Sequence, residues 1–157
     1  MENASKINLF IIDDHQLVVD GLSSLLNNEE RFALVGFCNQ PKEVMAMLEE
    51  RQVDILLTDI NMPEMSGVEL TRNVKKRFPQ IKVLALSMYG ERQVIKEMID
   101  AGVSGYILKN TGKKELVEAL DKLASGHTFF GDEVTQELMK SFKGNEDESH
   151  LTNREVR

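Results

Sequence analysis

The segment DILLTDINMPEMSG, residues 54–67, decides how the chain is to be read. Asp54 to Thr58 is a short apolar run of strand length, and one acid, Asp59, interrupts it. Beyond Gly67 the apolar residues change period: Leu70, Val74 and Phe78 fall on one face of a helix, and Pro79 stops that helix. The order strand, acid, loop, helix makes one βα unit.

The same unit recurs on both sides. Runs of strand character cover Lys6 to Ile12, Phe32 to Phe37, Ile81 to Leu86 and Gly105 to Leu108. Helical stripes follow them: Val18, Leu22, Leu25 and Leu26; Val44, Met47 and Leu48; Val94, Ile95, Met98 and Ile99; Leu116, Leu120, Leu123 and Ala124. These stripes read as core faces. Pro41 stands where the second helix begins, a position whose N–H has no intrahelical partner to lose. Five alternating βα units predict an α/β fold built on a parallel sheet.

A chain of 157 residues is close to one domain with an appendage, and it can bury a core without disulfide or metal staples. Its one cysteine, Cys38, has no internal partner and ends an apolar run, so it reads as a buried thiol in a reducing cytoplasm. No stretch is apolar enough to span a bilayer and the N-terminus lacks a signal-peptide pattern, so a soluble, cytoplasmic protein with no membrane partner is expected. The formal net charge of −7, with no dense Lys/Arg patch, argues against phosphate-backbone binding by this chain.

Composition shifts after Gly126. Residues 1–126 hold the five units; residues 127–150 read as a linker with one short amphipathic helix carrying Val134, Leu138, Met139 and Phe142, closing on the polar run KGNEDESH at 143–150. At 151–157 order restarts, because Thr152 and Glu155 have the spacing of a capping box.

The chemistry lies where polar residues end the apolar strands. Ligands of an open parallel sheet bind beyond the carboxyl ends of its strands. The first strand ends in Asp13 and Asp14 and the third in Asp59, so three carboxylates converge. Two carboxylates about 4 Å apart repel by roughly 4 kcal/mol at an effective dielectric near 20, so the cluster needs a cation or raised pKa values. Hard oxygen ligands in an open site point to Mg2+. Ser87 at the end of the fourth strand and Lys109 after the fifth add a hydroxyl and an ammonium. Taken singly, each is more often a strand terminator or a solvated side chain. Together they are the company that a carboxylate nucleophile attacking phosphorus requires.

Four motifs, IIDDH, LLTDINMPEMSG, LALSMYG and GYILKN, make residues 5–126 resemble the receiver domains of two-component response regulators. The resemblance implies a flavodoxin-like five-stranded parallel sheet of order 2-1-3-4-5 with helices on both faces. It further implies phosphorylation of Asp59 by a sensor histidine kinase. Asp14, Asp59 and the main-chain carbonyl of Asn61 would hold Mg2+, with Asp13 acting through water, while Ser87 and Lys109 grip the phosphoryl group. Tyr106 falls at the family's switch aromatic, which turns inward as the Ser87 hydroxyl moves toward phosphate. Pro63 and Gly67 would shape the loop after the acceptor, and Tyr89 would flank the water path for hydrolysis. Asn110 departs from the family, which commonly has proline after the lysine. LTNRE at 151–155 resembles the opening of the LuxR-type helix-turn-helix domain, as in LuxR/NarL-type transcription regulators. DNA would then be read only through the output domain that this segment opens, by a phosphorylation-dependent homodimer. A haloacid-dehalogenase-type phosphatase uses similar groups, but its nucleophile lies at the first strand with an acid two residues on, where this chain has Asp13-Asp14-His15. A binding module that has lost phosphorylation would have no need of the complete acid, hydroxyl and lysine set.

Overall fold

The structure is a computed structural model, and it describes residues 6–62, 64–88 and 92–140. Strands β1 (Ile7–Ile12), β2 (Phe32–Cys38), β3 (Ile55–Asp59), β4 (Lys82–Ser87) and β5 (Gly105–Leu108) alternate with helices α1 (Gln16–Leu26), α2 (Pro41–Glu49), α3 (Gly67–Arg77), α4 (Arg92–Ala101) and α5 (Lys113–Ala124). All strand pairs are parallel, in the order β2-β1-β3-β4-β5-β6. The expected order 2-1-3-4-5 is therefore present, but the expectation of five strands is corrected to six. The added strand, β6 (Phe129–Phe130), pairs with β5. Its physical basis is the open edge of β5: Ser104 O accepts from Phe129 N–H at 3.1 Å and Tyr106 O from Gly131 N–H at 3.1 Å.

Two apolar layers hold the sheet. On one face Phe10, Leu56, Val83 and Tyr106 pack with Val44 and Leu48 of α2, Leu70 and Val74 of α3, and Ile95 and Met98 of α4. On the other, Leu9, Ile11, Leu57 and Ile107 pack with Val19 of α1 and with Leu116, Leu120 and Leu123 of α5. The expected stripes are largely these residues, with three shifts: on α5, Ala124 is exposed and Ala119 is buried instead, and two others lie on α1 and α4. Val19 is buried where Val18 is only partly so, and Ile99 is 39% exposed because α4 turns Ile95, Met98 and Ala101 inward instead. Cys38 is buried, as expected, and its thiol donates to Gln40 O at 3.0 Å.

After Gly126 the chain does more than link. Residues 132–140 form the expected helix, and it packs through Val134, which is wholly buried, and Leu138, whereas Met139, expected on the same face, is exposed. Arg92 of α4 pairs with Glu137 on this helix at 3.7 Å. Phe142, the polar run 143–150 and the segment 151–157 lie outside the described residues, as do Pro63 and Tyr89.

The loop between β3 and α3 is set by local chemistry. Ser66 caps α3, its Oγ accepting from Glu69 N–H at 3.2 Å. Gly67 N–H donates to Ile60 O at 2.7 Å, and a Cβ on Gly67 would stand 2.5 Å from Asp59 O. Only glycine lets the helix start this close to the strand end that carries Asp59.

Candidate functional site: an acidic pocket at the carboxyl end of the sheet

The sheet brings the expected side chains together by register. Thr58 pairs with Ile12 across β1·β3, which sets Asp13 beside Asp59, and Asp59 pairs with Leu86, which sets it beside Ser87. Lys109 follows β5 directly, and its N–H donates to Ser87 O at 2.7 Å. Asp13 and Asp59 are buried, a rare state for carboxylates unless they are paired, and Ser87 is buried beside them.

Lys109 is the clamp. Its Nζ lies 2.9 Å from Asp13 Oδ2 and 3.0 Å from Asp59 Oδ1. Asp59 Oδ1 also accepts from Ile60 N–H at 2.8 Å, whereas Asp59 Oδ2 has no hydrogen-bond partner among the protein's own groups. Asp13 Oδ1 accepts from the N–H of His15 at 2.8 Å, at the entry to α1. Asp14 is partly exposed, Asn61 is exposed, and Tyr106 is wholly buried on the sheet face it shares with Ala85. The Lys109–Asn110 peptide is trans.

Burial pushes the Asp59 carboxyl above its ordinary range; the Lys109 hydrogen bond opposes this, and the charge of Asp13 and a contact with Asp14 add to the rise. Burial alone would lower the Lys109 ammonium, but its bonds to Asp13 and Asp59 outweigh it and hold the group above its usual value. Lys109 is thus a fixed cation. Three carboxylates against one ammonium leave an uncompensated negative charge when all are ionised.

The donor set fits a divalent cation. Ligand atoms of Asp13, Asp14, His15 and Asp59 all lie within 4.8 Å of one another, and the oxygens are hard donors of the kind Mg2+ takes. The unpartnered Asp59 Oδ2 is the buried acceptor such an ion would satisfy. His15 stands in the sequence as the last residue of IIDDH, with no ligand role expected of it. Its signal was its place directly after the acid pair, where the strand gives way to a helix.

The chain matches the response regulator receiver domain model over residues 9–121. It is 36% identical over 148 residues to the transcriptional regulatory protein DegU of Brevibacillus brevis, a match spanning 93% of this chain and 63% of that protein. With the response regulator protein VraR of Staphylococcus aureus it shares 37% identity over 137 residues, 87% of this chain and 66% of that one. The chain therefore spans somewhat less than two thirds of either relative. Among solved structures, the isolated receiver domain of RcsB from Salmonella enterica serovar Typhimurium, in the presence of phosphomimetic BeF3−, superposes with a TM-score of 0.79 at 26% identity, covering 85% of this chain and 99% of that domain. No helix among the described residues is long and apolar enough to cross a membrane. The parallel sheet, the acidic pocket at its carboxyl end and these matches agree: the chain belongs to the response regulator receiver domain family.

Proposed function

We propose that this chain is the phosphoacceptor of a two-component transcription regulator, in which a histidine kinase transfers a phosphoryl group to Asp59. The observation that carries this is the split environment of that carboxylate. One oxygen is held by Lys109 and the Ile60 N–H while the other is buried without a partner. A carboxylate so placed is oriented by its fixed half and left under-stabilised at the other. Its attack forms the O–P bond as the P–N bond of a phosphohistidine donor breaks and the imidazole leaves with a proton. Asp13, Asp14, Asp59 and the carbonyl of Asn61 would hold Mg2+, which supplies charge neutralisation at the phosphoryl oxygens. Lys109 then pairs with the new anion, and Ser87 offers its hydroxyl to a further oxygen. The phosphomimetic that accompanies the RcsB domain is in keeping with this reading.

Signal passes from Ser87 to Tyr106. Ala85 pairs with Tyr106 and Ser87 with Leu108, so the hydroxyl and the ring lie on one face of the sheet. Tyr106 is wholly buried already, so phosphate acts by shifting the balance between inward and outward rings, and a receptive surface for a second copy follows. DNA contact belongs to a helix-turn-helix opened by LTNRE, in line with the name of the DegU relative. Residues 127–157 carry four Lys/Arg against seven Asp/Glu and would repel a phosphate backbone.

Acetyl phosphate with Mg2+ should add one phosphoryl group at Asp59, located by mass spectrometry after borohydride trapping. Labelling of Asp59→Asn at the parent rate, or undiminished labelling in chelator, would overturn the reading.

A further inference from the structure

The acidic pocket holds a nitrogen to which the phosphoacceptor reading gives no role. His15 Nδ1 lies 3.1 Å from Asp13 Oδ1, 3.1 Å from Asp14 Oδ1 and 3.9 Å from Asp59 Oδ2. A ring N–H points along one line and satisfies one acceptor. Its hydrogen-bond contact is with Asp13 Oδ1, which already accepts from the His15 main chain, while Asp14 Oδ1 and Asp59 Oδ2 have no hydrogen bond directed at them. The Asp59 side chain is only 6% exposed, so water is a poor substitute at that oxygen.

The spacing is that of ligands around one small cation. In an octahedron with bonds of about 2.1 Å, adjacent ligand atoms are about 3.0 Å apart and opposite ones about 4.2 Å. The two separations of 3.1 Å correspond to adjacent positions, and that of 3.9 Å falls toward an opposite one. Imidazole nitrogen is a ligand that iron, nickel and their neighbours in the first-row series accept readily and that Mg2+ accepts poorly.

We propose that His15 is a nitrogen ligand of the acidic pocket, through Nδ1, and that it biases the site toward borderline divalent ions from Fe2+ to Ni2+ over Mg2+. This rests on reading Asp13, Asp14 and Asp59 as a cation site. Coordination at Nδ1 leaves the Nε2–H intact. His15 is 63% exposed and makes no side-chain cap to α1, so its replacement leaves the fold standing.

The test loads the whole chain with Co2+ and records its proton NMR spectrum. A hyperfine-shifted, solvent-exchangeable imidazole N–H resonance is expected in the parent and should be lost in His15→Asn. Competition titrations should show the Co2+/Mg2+ affinity ratio falling about ten-fold in that variant, with Mg2+ affinity within about two-fold of the parent, on the scale at which one ligating or supporting group acts. Co2+ bound in the pocket without the shifted N–H, or an unchanged ratio in the variant, would overturn the role of His15 while leaving the cation site. Failure of both ions to bind would overturn the cation site and this proposal with it.

Discussion

The two ends of β3 treat their carboxylates in opposite ways. Asp54, at the amino end, is exposed and its Oδ2 accepts from Asn8 N–H at 2.7 Å, while its main chain bonds to Asn8 O and from Lys82 N–H, each at 2.9 Å. That acid stitches neighbouring strands together. Asp59, at the carboxyl end, is buried beside two other acids and one lysine, with one oxygen unpartnered. Parallel strands end on the same side, so their terminal side chains accumulate there. The acid whose carboxylate is engaged in joining strands serves the fold, and the buried acid with an oxygen left short of a partner is the one free to react.

The largest contrast is chemical. Asp59→Asn should abolish phosphoryl labelling, a loss of at least about a hundred-fold, since an amide is no substitute for a carboxylate nucleophile. Asp54→Asn should label at the parent rate. Equal losses in the two variants, read by mass spectrometry, would erase the distinction.

Next in size is the fixed cation. Lys109→Met leaves Asp13 and Asp59 buried with no counter-charge, and urea denaturation should show a loss of about 3 kcal/mol. A further change of Asp59 to Asn in that background should recover part of it, whereas removing Asp54 should not. Smaller still is the pH effect. Because the folded-state pKa of Asp59 is raised, this group favours the fold when protonated, and that contribution is lost as pH rises through the folded value. Mg2+ should therefore raise the melting temperature more on the alkaline side of the Asp59 titration than on its acid side. Ser87→Ala should show little effect on the labelled amount, yet a reduced dimerisation response to phosphate by light scattering. A full response would break the proposed coupling to Tyr106.

Much of this site was legible because polar residues stand out against apolar strands. Asp13, Asp59, Ser87 and Lys109 each follow or end a run of buried residues, and the parallel order then forces them together. β6 was not legible. A strand of two residues, Phe129–Phe130, has no period to detect, and it exists because an edge offered two carbonyls. Nor could periodicity distinguish Ile99, 39% exposed, from its buried neighbour Met98, since rotation about a helix axis is settled by packing. The aim of His15 was hidden for a similar reason: it depends on the extended backbone, φ −105° and ψ 107°, that admits the chain to α1.

The short seam between β5 and β6 has a mechanical consequence. β6 is the outermost strand and bonds to nothing else in the sheet, so tension applied beyond residue 140 would reach the domain by way of the helix over 132–140 and then this seam. The bond from Gly131 N–H to Tyr106 O would carry the load before that from Phe129 N–H to Ser104 O. A pull too weak to unfold the sheet but able to loosen that helix would then be felt at the backbone of Tyr106, three residues before Lys109, making β5 the place where tugging on the chain and chemistry in the pocket meet.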